Sequence, residues 1–343
     1  MNINLTGVDK KKIYLIIAVL ILLIIAFLIT VIKKNVAKPI QTKLNLPSQY
    51  AMLNFTTSDG KNFSYLDNDH LTFYKINFDN QSPVKLMTNS VYYINDVIWS
   101  NNANQALIKA QIKPDEPGFI INNFTNSTTK QLDSNTIDAS WSNNDNVIYS
   151  TVDENDYHFI VLKKDNYDLV EKDYSLKNER CDKIVQFNQE SSSLTCLAFQ
   201  SDIIAYLRII NLKDNSVKQI DGEFATAKTS PDGSKIIALQ EGQDNIYWVV
   251  LNSQGETQSK ISFDTDEYNI NKVTWNKDNK TLVIAIRKNN EENDRFYLIN
   301  AENGNKNELK FDIGGKSIDA VNLLIINNIL YFTSDTLLYQ FGL

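Results

Sequence analysis

Residues 229–239, TSPDGSKIIAL, decide the fold. Pro231 presets φ for the first corner of a turn, Asp232 can bond its own backbone, and Gly233 accepts a positive φ. The β-branched apolar run that follows, Ile236 to Leu239, reads as a buried strand. Working outward, the same strand, polar turn and strand recur. The last residue of the leading strand is Phe55, Trp99, Trp141, Phe187, Thr229, Trp275 and Asn322, at spacings of 44, 42, 46, 42, 46 and 47 residues. The turns read Ser58-Asp59-Gly60, Ser100-Asn101-Asn102, Ser142-Asn143-Asn144-Asp145, Ser230-Pro231-Asp232-Gly233 and Asn276-Lys277-Asp278-Asn279. A third strand, often aromatic, follows at 71–76, 157–162, 245–251 and 295–299, and a fourth at 84–87, 130–132, 217–220, 259–261 and 307–309, with a lysine in each but the last. A period of this length with four short strands per repeat predicts an all-β, seven-bladed β-propeller of four-stranded antiparallel blades over residues 40–343.

The chain ends supply a closing strand. The seventh repeat has three strands, from Ile318, over 329–333 and over 336–341, and no fourth. Before the first repeat lies IQTKLNL (40–46), whose Thr42-Lys43-Leu44 resembles Thr129-Lys130-Gln131-Leu132 of the second. An N-terminal strand completing the last blade removes an unpaired edge and its apolar face from solvent.

Residues 13–32, IYLIIAVLILLIIAFLITVI, carry no charge. Twenty residues at about 1.5 Å each match a hydrocarbon core of about 30 Å, so this is a transmembrane α-helix, with a 1–12 tail and a 33–39 linker. A cleaved signal peptide has a shorter apolar region. Lysines flank the span on both sides, Lys10, Lys11 and Lys12 before it and Lys33, Lys34, Lys38 and Lys43 after it, so their count does not orient it. The short leading tail is that of an uncleaved signal anchor and places the propeller outside the cytoplasm. Residues 1–43 hold seven Lys and one acid, which leaves 27 basic against 40 acidic side chains, a net of −13, on the rest. Such a surface repels phosphate backbones and excludes nucleic acid as a partner.

Trp141, Ser142 and Asp145 of the third repeat and Ser230 to Ala238 of the fifth resemble the WD-repeat-like blades of the TolB family. The resemblance covers nearly all of 40–343 and its motifs specify a fold. Only the fifth repeat has the full Ser-Pro-Asp-Gly, the fourth has Asn188-Gln189-Glu190 and the seventh lacks the aromatic. The α/β domain that precedes the TolB propeller has no counterpart in the sequence. The resemblance implies an extracytoplasmic, envelope-associated scaffold that binds proteins or peptides.

Catalytic patterns are scarce. His70 and His158 stand alone in different repeats, and no Gly-x-Ser-x-Gly elbow, His-Glu-x-x-His, Cys-x-x-Cys or glycine-rich phosphate loop occurs. No enzyme activity, cofactor or metal is expected. The run 289–294, NNEEND, lacks calcium-loop spacing and reads as a solvated hairpin tip. Three residues before their anchors stand Asp96, Asp138 and Asp319, with Lys272 in the sixth repeat. In register, these four gather at one end of the axial channel, where they could hold a cation or an amine. The competing reading is that each Asp begins a strand and faces water. Counted along a regular hairpin, Cys196 opposes Val185 and lies roughly 13 Å from Cys181 at about 3.4 Å per residue, which predicts two free, buried thiols. The function expected is a single-pass, membrane-anchored platform for an envelope protein or peptide. A small-ligand or cation sensor using Asp96, Asp138, Asp319 and Lys272 is the alternative.

Overall fold

The computed structural model describes Ile21, residues 40–42 and residues 53–343, except 68–69, 78–81, 143–144, 156, 165–168, 177–178, 189–190, 202–203, 243–244, 266, 290, 311–316 and 335–336. The predicted 1–12 tail, 13–32 helix and 33–39 linker therefore lie, Ile21 apart, outside the described residues. Among the described residues no helix is long and apolar enough to cross a membrane. The elements described are strands and one 3₁₀ turn, Ile270–Lys272.

The strands form antiparallel sheets in sequence order. The second repeat runs Tyr93–Trp99, Gln105–Lys113, Glu116–Asn123 and Thr128–Gln131, each strand pairing with the next. The first, third and sixth repeats each build a sheet of the same pattern. The fourth and fifth merge into one eight-stranded sheet through a single pair, Ala205 with Phe224. Second strands are buried almost throughout, as in Val147–Val152 and Thr281–Arg287, because a sheet covers each of their faces. Fourth strands such as Thr128–Gln131 are mostly exposed. This inside-to-outside gradient explains why apolar runs sit on second strands and lysines on the outer edge.

The turn after the first strand is built from side chains. Ser230 Oγ donates to Asp232 Oδ1 (2.8 Å), which also accepts from Ser234 N (2.9 Å), and Lys235 N returns to Ser230 Oγ (3.0 Å). Ser100 and Asn102 repeat this circuit. In the first repeat Thr57 Oγ1 donates to Asp59 Oδ1 and Lys61 N follows. That makes Thr56, not Phe55, the equivalent of Trp99. A larger correction falls on the seventh repeat. Its first hairpin closes at Asn327-Asn328, both left-handed (φ 52° and 60°), and its last pair is Ile326 with Ile329. Asn322 lies four residues short of that pair. A two-residue turn replaces the longer Ser-x-Asp turn there, so extrapolated spacing slips.

Neighbouring sheets share apolar cores. Leu107 and Phe119 of the second repeat meet Ala139, Trp141 and Tyr149 of the third. Phe55, Phe63, Tyr65 and Ile76 of the first pack with Ile326, Tyr331 and Leu338 of the seventh. Tyr331 Oη donates to Gly60 O (3.3 Å) across that contact. Ile40–Thr42 pairs antiparallel with the last strand, Leu337–Gly342, with Ile40 opposite Gln340. The rest of the predicted clasp, 43–46, lies outside the described residues.

Cys181 and Cys196 are free and fully buried, as expected, and belong to one apolar core. Cys196 opposes Ile184 rather than Val185, and Asp182 N donates to Leu197 O (3.0 Å) although Lys183 is the residue paired with Leu197. The register shifts between Ile184 and Gln186, and this bulge at Val185 takes up a step of the count. It brings Cys181 one residue nearer along the strand, and both side chains pack in one core with Ile184, Phe187 and Leu194.

Candidate functional site at the axis and one rim

First strands of several repeats converge on a cavity of about 730 Å³, lined by Phe55, Trp99 and Trp275 among apolar groups and by Asp96, Lys228 and Asn271 among polar ones. Lys228 precedes the anchor Thr229, so its side chain leaves the strand toward the axis. Its Nζ donates to Val273 O (2.8 Å), and among the described residues no carboxylate pairs with it. Burial lowers its pKa to about 8, which keeps most of the amine charged at neutral pH.

The four predicted residues divide into two groups. Asp96 lines the cavity and accepts from Val97 N (2.8 Å). Burial raises its pKa, while the Val97 bond and the charges of Lys183 and Lys109 oppose the rise. Its carboxylate meets solvent, yet protein surrounds the opening on which it stands. Asp138 feels the same two lysines but spans two repeats, accepting from Ile184 N (2.7 Å) through Oδ2. Burial pushes its pKa up to about 6 against that bond.

Lys272 and Asp319 belong to a separate cluster. Lys272 Nζ lies 3.0 Å from Asp294 Oδ2, 3.0 Å from Asp319 Oδ1 and 3.2 Å from Glu267 Oε1. Arg287 Nη2 lies 2.6 Å from Asp319 Oδ1. Burial would lower the pKa of Lys272, but the bonds to Asp294 and Asp319 outweigh it and the net direction is up. The ammonium thus occupies the centre of three carboxylates, where a cation would otherwise sit. Among the described residues no group of His, Cys, Asp and Glu is arranged to hold a metal. Neither Asp96 nor Asp138 is bonded to Lys272 or Asp319, so the four do not form one ring of charge.

Sequence reasoning missed Asp294, whose side chain is wholly buried. It ends the run read as a solvated tip, and its Oδ2 also accepts from Ala320 N (2.6 Å), which fixes the start of the seventh repeat. Lys228 was missed too. Its one signal was a charge within an otherwise strand-like segment lacking an acid neighbour.

Both charged groups share a rim, because first strands begin where second strands turn into third strands. Large apolar side chains also surface there. Tyr92 and Tyr93 (67% and 48% exposed) stand at the start of a first strand, and Tyr157 (48%) and Ile246 (40%) at second-to-third connections. The histidines take no part in the cavity: His70 Nδ1 lies 2.9 Å from Asp67 Oδ2, and His158 is buried in a third strand.

No protein-family model and no curated protein matches the chain. Solved structures do match. The Cps50 (Swd1) β-propeller domain of Myceliophteria thermophila aligns at a TM-score of 0.59 and 13% identity, over 87% of this chain and 98% of that one. Virginiamycin B lyase from Staphylococcus aureus gives 0.59 and 11%, over 90% and 99%. An oligogalacturonate lyase in complex with manganese gives 0.59 and 12%, over 86% and 89%. The chain is a β-propeller, WD-repeat-like in its blades. At these identities the likeness extends to the fold alone.

Proposed function

We propose that the chain is a seven-bladed ring closed by Ile40–Thr42, held outside the cell membrane by the 13–32 helix, and that it is a non-catalytic platform for an envelope protein or peptide. The observation carrying this reading is the exposure of Tyr92, Tyr93, Tyr157 and Ile246, in the second, third and fifth repeats, at strand ends that face one rim of a strongly acidic chain. Exposed aromatic side chains on rigid strand ends are the usual anchors of protein contacts, and a preformed ring lowers the ordering cost of binding. The pairing of Ile40–Thr42 with the last strand and the shared core of the first and seventh repeats support closure. The Ser-x-Asp turn circuits support kinship with TolB-like blades.

The test is site-specific photo-crosslinking in cells, with the probe at Tyr92, Tyr157 or Ile246 and, on the opposite rim, at Asn102 or Ser234. A discrete adduct from the first three positions and none from the last two is expected. Equal labelling from both rims, or none, refutes the platform.

A second reading has its own observation. Lys228 places an amine without an acid partner against the cavity, which favours a small anionic ligand over the cation that the aspartates suggested. Thermal-shift titration with a series of carboxylates should show stabilisation that Lys228→Met abolishes and that Asn at Asp96, Asp138 and Asp319 leaves intact. The reverse pattern returns the assignment to the acids.

A further inference from the structure

The direction in which the chain enters the last sheet decides which rim a partner can reach. In the seventh repeat Ile329–Ser334 runs away from the Asn327-Asn328 turn and Leu337–Gly342 runs back to it, ending where Leu343 N donates to Asn328 O (2.8 Å). That turn joins a first strand to a second, so it lies on the rim of the polar turns, opposite Tyr92, Tyr93, Tyr157 and Ile246. Ile40–Thr42 is antiparallel to the last strand, with Ile40 opposite Gln340 and Thr42 opposite Leu338. From Ile40 to Thr42 the chain therefore climbs from the turn rim toward the tyrosine rim. Its point of entry is on the turn side.

We propose that this entry point orients the ring on its membrane: the tether holds the turn rim toward the bilayer and presents the tyrosine rim away from it, to a partner that extends clear of the lipid surface. The proposal rests on the anchoring helix at 13–32 and on the platform reading above. Between that helix and Ile40 stand seven residues, 33–39, KKNVAKP, which reach at most about 25 Å at about 3.6 Å each. Strands such as Ile329–Ser334, six residues or about 20 Å at about 3.3 Å each, set the depth of the ring.

With the turn rim down, the linker has only the gap to the lipid to cross. With the tyrosine rim down, the same seven residues must first run the depth of the blade edge, which draws them out to nearly their full length and costs the entropy of their slack. Lys33, Lys34 and Lys38 widen the difference, because lysines beside a membrane favour the level of the phosphate headgroups and the reversed ring pulls Lys38 away from it. Tyrosines are themselves at home in a headgroup layer, so the reversed ring is the arrangement to exclude.

Energy transfer to the lipid distinguishes the two. The full chain is reconstituted in phosphatidylcholine vesicles that hold a trace of headgroup-labelled acceptor lipid, with a donor dye on one introduced cysteine. Thr125→Cys and Tyr92→Cys mark the turn and tyrosine rims of the second repeat, and Ser234→Cys and Ile246→Cys those of the fifth. Cys181 and Cys196 are buried, so the wild type carried through the labelling is the blank. In both repeats transfer should be several-fold stronger from the turn rim. Equal transfer from both rims, stronger transfer from the tyrosine rim, or opposite preferences in the two repeats, as for a ring standing on edge, overturns the proposal. A flexible Gly/Ser stretch inserted between Lys38 and Pro39 should abolish the difference, and a difference that survives it removes the tether as the cause. A chain that no longer floats with the vesicles refutes the helix and the proposal with it. The platform is scored separately by crosslinking: the expected transfer pattern without a rim adduct keeps the orientation and loses the platform.

Discussion

Lys272 shows how a charge in this protein is worth what surrounds it. Its ammonium is enclosed with the wholly buried carboxylate of Asp294, whereas Asp319 is 59% exposed. Removing the cation leaves a buried anion without its main partner, the costly way to break such a pair. Lys272→Met should therefore lower the unfolding free energy by roughly 3 kcal/mol, while Asp319→Asn changes it by less than about 1 kcal/mol. Urea titration of both variants measures the difference, and equal effects would remove the buried pair as the reason. Asp138 makes a prediction in pH. Its folded pKa of about 6 lies above the ordinary 3.8, so the folded state holds its proton longer than the unfolded chain does. The contribution is fully present below about pH 4 and is lost as pH rises through 6, by at most about 3 kcal/mol. In Asp138→Asn the stability curve between pH 4 and 7 should flatten, and a curve of unchanged slope would assign that slope to other groups. Asp138 and Asp96 were legible in the sequence because they precede conspicuous tryptophans. Asp294 was not, since nothing in NNEEND separates the one acid that turns inward from those that stay in water.

Tryptophan at the end of a first strand has a task at the level of the element. Trp141 Nε1 donates to Ile98 O of the preceding blade (2.8 Å), and Trp275 Nε1 to Lys228 O (3.4 Å). In both pairs the acceptor belongs to the residue just before the neighbouring anchor, so a single indole sets the rotation of one first strand against the next. Turns add a second seam, with Asn101 N donating to Asp145 Oδ1 (2.7 Å) and Asp232 N to Asn279 Oδ1 (3.2 Å). Phenylalanine keeps most of the ring packing and removes the donor. Trp141→Phe should cost about 1–2 kcal/mol and Trp275→Phe clearly less, given its longer bond. Chemical denaturation of the two variants ranks them, and the opposite order would mean that packing volume rather than the bond sets the cost. These indoles also explain which repeats could be read. Where an aromatic is followed at once by a polar turn opening on Ser or Asn, at Trp99, Trp141 and Trp275, anchors fall on the observed strand ends. Phe55 slipped by one because Thr57 performs the serine's part, and Asn322 slipped by four because a two-residue turn carries no such signature.

For the whole molecule the open question is mechanical: whether the short strand before the first blade locks the ring. Ile40–Thr42 contributes three paired residues to the edge of the last sheet, and the same sheet packs its core against the first blade through Ile326, Tyr331 and Leu338. Loss of a strand this short removes two or three backbone hydrogen bonds at about 1 kcal/mol each. How that loss is distributed depends on closure. In a closed ring each blade leans on two neighbours, so deleting residues 40–42 from the full chain should leave one cooperative transition at a lower midpoint. In an open arc the last sheet is an end, and its loosening stays local. Calorimetry separates the cases: a single displaced peak is expected, whereas a small early transition preceding an unshifted main one would mean that the first and last blades do not support each other. Amide exchange sharpens the measurement. Protection should fall at Leu338, Tyr339 and Gln340, whose partners are removed, and also at Phe63 and Tyr65 across the seam, because the first blade's core is shared with the last. Unchanged protection at Phe63 and Tyr65 would confine the effect to one edge and undo the closed platform on which the proposed rim depends.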